Sequence, residues 1–354
     1  MLIMMTRGRM RLAATFLLTL TAVAGSVGVA AQSRTAPALS ALDRLEIQQL
    51  VARYAYALDT GGRNGYEYAD LFAPDGVFVG MNQGTAGRLF RGRDTLASLA
   101  RGGQRNPNFV SHFITNVVIE PTADGARGTQ YAIIGEIGGT NGSKGRWTHG
   151  GHYKDQYVKT AAGWRFKSRV FYASEGGATP HQLQNDPMKA PVAPAANPAP
   201  EPRTAPPPPF PGRLTADDYI AIQQLVVNYP YALDTGANSG YYYADLFTAD
   251  AEFSRPLTKG RDNLAKLALD QPHGPNYVRH YITNHVIEPT ADGAIGKEYL
   301  VVIDIGEAGK PSSIFVGGHY EDVYAKAADG WRFKRREFIP TRLATPAPAA
   351  PRAQ

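Results

Sequence analysis

The chain has 354 residues, enough for two domains of ordinary size, and 19 Tyr with 14 Phe give each half the means to bury a core. Its formal charge of +6 includes Arg7, Arg9 and Arg11; without them it would be 6 − 3 = +3, and the remaining charges are mixed along the chain, so nucleic acid is not an expected partner. With no cysteine, disulfides, thiolate metal sites and a cysteine nucleophile are excluded.

In chain order, the three arginines precede an apolar run over residues 12–29 and the small residues Val29, Ala30 and Ala31. This is the pattern of a secretory signal peptide over residues 1–31, with cleavage near Ala31 and a secreted or periplasmic product that has no membrane contact once the leader is removed. The alternative is a retained membrane anchor, because the run approaches spanning length. Ile47, Leu50, Val51, Tyr54 and Leu58 then recur at three- and four-residue intervals and predict a helix over residues 41–58. A second short helix is expected over residues 66–72, short strands over 77–79 and 87–90, and a helix with Asp94 as its N-cap. Longer strands follow over 110–120, 130–137, 145–159 and 164–172, with TADG and TAAG turns between them. Helices followed by a meander indicate an α+β layer arrangement.

Most of this unit occurs twice. Residues 112–126 read HFITNVVIEPTADGA and residues 280–294 read HYITNHVIEPTADGA, differing only at Phe113/Tyr281 and Val117/His285. IQQL, ADLF and GWRFK also recur, which marks a duplicated domain. The expected organisation is one domain over residues 41–176, a Pro/Ala-rich linker over 177–213, a second domain over 214–340 and a tail over 341–354. The spacing of matched residues falls from 234 − 59 = 175 to 280 − 112 = 168, so the second copy lacks seven residues near residues 81–89. Pro230 stands where the first copy has Ala55, which predicts a kink.

Comparing the copies sorts the polar residues. His112 matches His280 and His152 matches His319, whereas His149, His181, His273 and His285 have no counterpart. Asp59 matches Asp234 within a shared LDTG at the end of the first helix. Strand alternation puts His112, Ile114 and Asn116 on one face, and likewise His280, Ile282 and Asn284. If the helix crosses the mouth of the sheet, its Asp can hold the imidazole in one tautomer and create a positioned general base. His152 and His319 are candidates for a second acid–base group, or for satisfied polar groups of the core. Tyr54, Tyr56, Tyr229 and Tyr231, with Asn116 and Asn284, are candidate substrate contacts, although tyrosines on a helix face also serve as core. Two His and one Asp per copy could in principle ligate a metal, but no tight ligand spacing supports one.

Asp at the end of the first helix, the H-[FY]-x-T-N strand and the late G-G-H-Y strand together resemble the SnoaL-like branch of the NTF2-like superfamily, which includes scytalone dehydratase, hexachlorocyclohexane dehydrochlorinase and the polyketide cyclases. The resemblance covers both copies and implies two tandem NTF2-like (cystatin-like) cone-shaped α+β barrels, each with a deep apolar pocket for a small hydrophobic or hydroxylated molecule. It implies metal-free, cofactor-free chemistry. It also suggests an intramolecular pseudo-dimer of the two domains, since members of the superfamily pair through the open sheet face. The dyad roles fall by resemblance on His112 with Asp59 and on His280 with Asp234, and the dehydratase's second histidine on His152 and His319. The dehydratase's tyrosine is replaced by Leu58 and Leu233, and the dehydrochlorinase's lysine by Tyr54 and Tyr229. A lyase or isomerase that abstracts a proton is the expected activity; a binding or accessory module is the alternative.

Overall fold

The first helix, α1, spans Ala41–Thr60. Ser40 and Asp43 form a capping box at its start, and Gly61 ends it in the left-handed conformation that a residue without Cβ adopts freely. In the computed structural model the described residues are 38–82, 85–103, 110–137, 145–174, 187–200, 214–271, 278–304 and 312–341. The leader and the tail beyond residue 341 lie outside them, as does much of the linker. Among the described residues no helix is long and apolar enough to cross a membrane.

After α1 the first copy continues through α2 (Tyr66–Ala69), β1 (Phe72–Asn82), β2 (Thr85–Arg91), α3 (Arg93–Gly103), β3 (Val110–Thr122), β4 (Gly125–Glu136), β5 (Arg146–Thr160) and β6 (Gly163–Ala173). The second copy repeats this as α4 (Ala216–Thr235), α5 (Tyr241–Ala244), β7 (Phe247–Ser254), β8 (Leu257–Lys259), α6 (Arg261–Leu269), β9 (Val278–Thr290), β10 (Gly293–Asp304), β11 (Ser313–Ala327) and β12 (Gly330–Pro340). Each copy builds one six-stranded sheet, ordered β2-β1-β6-β5-β4-β3 and β8-β7-β12-β11-β10-β9. The last four strands form the expected antiparallel meander, while β1 and β7 join it in parallel with β6 and β12. The architecture is α+β, two tandem units.

Several local expectations change. The short helix ends at Ala69, so Phe72 opens β1 instead of closing a helix. Asp94 sits inside α3 and not at its cap: Leu96 N–H donates to the Gly92 carbonyl, and Asp94 accepts from Tyr66 Oη at 2.7 Å. The helix α4 runs through Pro230 as one element. Trp164 and Trp331 anchor the helix starts, each donating its indole N–H at 3.0 Å to Asp43 or Asp218. The described part of the linker flanks the first copy, where Leu89 of β2 exchanges backbone hydrogen bonds with Pro191 and Ala193.

The copies touch through unlike surfaces. The outer face of α1 lies on the outer face of β9 and β10: Gln49 donates to the His285 carbonyl (3.1 Å) and accepts from Ile287 N–H (2.6 Å). Arg53 pairs with Glu288 at 3.3 Å, and the Tyr56 and Tyr299 rings stand 4.2 Å apart. Val286, Tyr299, Val301 and Ile314 thereby join the apolar core of the first copy.

Candidate functional site

The site of the first copy begins at the C-terminal turn of α1. Asp59 projects there against β3, the edge strand of its sheet, and accepts from the His112 backbone N–H at 2.9 Å. Its other oxygen meets His112 Nδ1 in a short hydrogen bond. An ionised carboxylate can only accept, so His112 donates from Nδ1, and in the neutral imidazole that tautomer leaves the Nε2 lone pair available. Asp234 holds His280 the same way, at 3.2 Å to the backbone N–H and 2.6 Å to Nδ1.

The two pairs differ in what surrounds them. In the first copy, Tyr299 of the second copy donates its hydroxyl to Asp59 at 2.9 Å. Asn284, also from the second copy, caps the open edge of β3 by accepting from Ile114 N–H (3.1 Å) and donating to the His112 carbonyl (3.0 Å). The carboxylate therefore accepts from three donors, and the strand bearing its imidazole is clamped from outside. Burial and the neighbouring Asp59 push the Tyr299 phenol well above its ordinary range, so it stays a donor.

Asn116 and Asn284 do not share the histidine face, contrary to the simple alternation. Both adopt left-handed backbone, φ 57° and 56°, and the strand register slips there. Asparagine tolerates this conformation because its short amide can bond locally, and the bulge turns the side chain off the pocket face. Asn284 becomes a buried bridge, and Asn116 is exposed.

His152 and His319 also move out of the pocket. His152 is registered with Tyr131 and Tyr172 across its neighbouring strands, whereas His112 is registered with Ile134, and Ile134 with His149. With a side-chain period of two, His152 lies on the sheet face opposite His112 and stacks on Tyr172, ring centroids 5.0 Å apart. His319 follows the same parity and approaches Glu321 at 3.7 Å. The pocket-facing neighbours are Tyr153 and Tyr320. His149, which has no histidine counterpart, is instead the residue on the His112 face; with two strand spacings between them their backbones stand roughly 10 Å apart. The second copy has Val316 there.

Tyr54 and Tyr229 point inward and Tyr56 and Tyr231 outward, as residues two apart on a helix must. In the second copy, a cavity of roughly 460 Å³ is lined by Tyr229, Leu233, His280, Leu300, Val302 and Tyr320, among others. Tyr231 is outside it, and Tyr56 is covered by Tyr299. Tyr243 also lines this cavity, and its counterpart Tyr68 packs on Tyr54. The hydroxyls of Tyr54, Tyr68 and Tyr243 are buried among other tyrosines, Tyr54 beside Tyr68 and Tyr153, and Tyr243 beside Tyr229.

Behind these tyrosines lies a buried ion cluster. The Arg169 guanidinium sits 3.8 Å from the ring centroids of both Tyr54 and Tyr153 and pairs with Asp155 at 3.4 Å. Arg336 occupies the matching place between Tyr229 and Tyr320, pairing with Asp322 at 3.2 Å and more closely with Glu298. Glu298 replaces Gln130 and His285 replaces Val117, so the second cluster has one more carboxylate and one more imidazole. Burial raises the Asp322 carboxyl well above its usual range. Burial, with Arg336 nearby, pulls the His285 imidazole down to about 3, and its Nε2 lies 3.0 Å from Tyr324 Oη. The signal for these clusters is in the sequence: Asp155/Asp322 and Arg169/Arg336 are matched between copies at pocket-facing strand positions. Among the described residues no three His, Asp or Glu side chains gather as a metal-binding group.

The family model described as "SnoaL-like domain" matches residues 40–170 and 215–337. The chain belongs to the SnoaL-like domain family. Among solved structures, it is similar to a variant of Rv3472, a protein of unknown function from Mycobacterium tuberculosis (26% identity over 40% of this chain and 76% of that one, TM-score 0.34). It is also similar to an NTF2-like protein with a cystatin-like fold from Novosphingobium aromaticivorans (22% identity, 41% and 90% coverage, TM-score 0.35). A third similarity is to a protein titled putative scytalone dehydratase from the same organism (26% identity, 34% and 83% coverage, TM-score 0.30). A comparison with curated proteins finds no match. Each copy places an Asp against a His, and the inter-copy contact distinguishes the two.

Proposed function

We propose that the protein is an exported, cofactor-independent lyase or isomerase whose principal site is in the first copy. The observation that carries this reading is the triply bonded Asp59, which orients His112 with Nε2 as a general base. His112 would take a proton from a carbon beside a carbonyl of a small hydroxylated cyclic or aromatic compound. The buried Tyr54 and Tyr68 hydroxyls would donate to the carbonyl oxygen as it becomes enolate-like. In a dehydration, His149 in its protonated form would supply the proton with which the hydroxyl leaves as water; the C–H pair becomes the second bond of the new C=C, and the C–O pair departs on the water oxygen. The roughly 10 Å between the two histidine backbones suits a ring-sized substrate lying between them. Export rests on the basic leader and the small residues ending at Ala31.

Binding without chemistry is favoured for the second copy by its cavity, where Leu300, Val302 and Val316 stand in place of Ala132, Ile134 and His149. The test is incubation of a library of hydroxylated carbonyl compounds in deuterated water with the mature protein or its Asp59→Asn variant, followed by mass spectrometry. Loss of water or deuterium uptake at carbon with the wild type alone is expected. Equal conversion by the variant, or retention of compounds without any mass change, would overturn the catalytic reading.

A further inference from the structure

The contact between the copies uses the helix face of the first and the sheet face of the second, so each copy retains the complementary surface unused. On α4, Gln224 and Tyr231 occupy the places of Gln49 and Tyr56; Gln224 is exposed and Tyr231 is 70% exposed. On the first sheet, Asn116, Val118 and Tyr131 occupy the places of Asn284, Val286 and Tyr299. Val118 is 57% and Tyr131 61% exposed, where Val286 and Tyr299 are 1% and 3% exposed. The residues that make the existing contact are identical at all five of these positions, and the Asp–His pair they embrace is identical too. Exposed apolar and aromatic surface of this kind marks a contact site, and here the chain itself shows what fits it.

We infer that a second copy of this chain docks its first-copy sheet on α4, repeating the intramolecular contact between chains and completing the second Asp–His site. In that contact Tyr131 of the neighbouring chain donates to Asp234 as Tyr299 donates to Asp59. Its Asn116 caps the β9 edge at the His280 carbonyl and Ile282 N–H, and Gln224 bonds the neighbouring β3 backbone at Val117 and Ile119. The assembly is heterologous, head to tail, because the joined surfaces differ; it leaves one helix face and one sheet face open until a ring closes.

Two polar supports are missing from the second contact. The Arg53–Glu288 ion pair becomes Asn228 opposite Glu120, and Lys297, which lies 4.7 Å over the Tyr56 ring, becomes Thr129. Association between chains is therefore weaker than association within one and depends on concentration. The inference stands on the interface and is independent of the reaction catalysed.

The experiment is sedimentation velocity of the mature chain across a hundredfold concentration range, with two variants of exposed residues: Tyr231→Arg for the helix face and Tyr131→Arg for the sheet face. The wild type is expected to sediment as dimers or larger species that grow with concentration. Each variant alone is expected to be monomeric, its association weakened at least tenfold, with unchanged circular dichroism and melting. An equimolar mixture should form a capped dimer of one of each, because each variant keeps the face the other has lost. A wild type that stays monomeric throughout would overturn the inference. So would variants that still associate, or a mixture that stays monomeric, since the last result indicates a symmetric contact using both faces at once.

Discussion

The two copies hold the same Asp–His geometry in different surroundings. Asp59 receives a tyrosine hydroxyl from the other copy, and the edge strand beside it is capped by Asn284. The equivalents of those donors, Tyr131 and Asn116, are exposed. Conversely, the second copy concentrates charge behind its pocket, with Glu298, Asp322, Arg336 and His285 where the first has Gln130, Asp155, Arg169 and Val117. Duplicated sequence therefore does not mean duplicated surroundings. One copy has an Asp–His pair supported from the other copy and a second histidine on the same face; the other has an apolar cavity above a more heavily charged floor.

The largest expected effect separates the two bases. His112→Ala should lower turnover by about 10²- to 10⁴-fold, the usual worth of a positioned general base, and His280→Ala by much less. Initial rates on the compound found by deuterium uptake decide this, and equal losses would make the copies equivalent. Next is stability. Arg169→Met and Arg336→Met should each destabilise by about 3–5 kcal/mol, because removing one partner strands a buried charge. The Arg336 variant should be the worse, since it strands two carboxylates where the other strands one. Urea midpoints of the variants rank them, and the reverse order would break the account of the second cluster.

A smaller effect is read with pH. His285 is held neutral in the folded state to about pH 3, while in the unfolded chain it protonates near its ordinary value of 6.5. Its contribution is complete above 6.5 and is lost as pH falls from 6.5 towards 3, at up to ~1.4 kcal/mol per pH unit. His285→Val, which installs the residue of the first copy, should flatten that limb of the stability profile in urea titrations. The smallest effect comes from Tyr299→Phe. Loss of one hydrogen bond to Asp59, worth about 1 kcal/mol, should reduce kcat/KM about fivefold, with melting changed little. A null result there would mean that the inter-copy hydroxyl does not support the base.

Much of this could be read along the chain. The stripe through Ile47, Leu50 and Tyr54 located α1, and the repeated HFITN/HYITN segments located β3 and β9 with their histidines. A helix across the sheet mouth could bring Asp59 to His112, the resemblance assigned the two to one pair, and the structure brings them into hydrogen-bond contact. Strand parity failed where the backbone broke its own rule: a left-handed Asn116 ends the alternation that would have kept its amide beside His112. His152 was misplaced because pocket-facing and outward positions alternate residue by residue, and the register of β5 against β4 cannot be counted from β5 alone. Tyr153, one residue on, lies on the His112 face of the sheet.

Sequence by itself determined the duplication and the α+β class, since each depends on local periodicity or on identity between the copies, and its resemblance to the SnoaL-like family picked out the residues of the Asp–His pair. Tertiary structure alone decided that α1 rests on the other copy's sheet while α4 does not, and that Tyr299 and Asn284 serve a site more than 170 residues away. It also decided that His149 shares a face with His112. Such facts depend on register and on the docking of surfaces far apart in the chain. Near-identical segments carry the same local preferences, so only their different neighbours in space could make the two sites unlike.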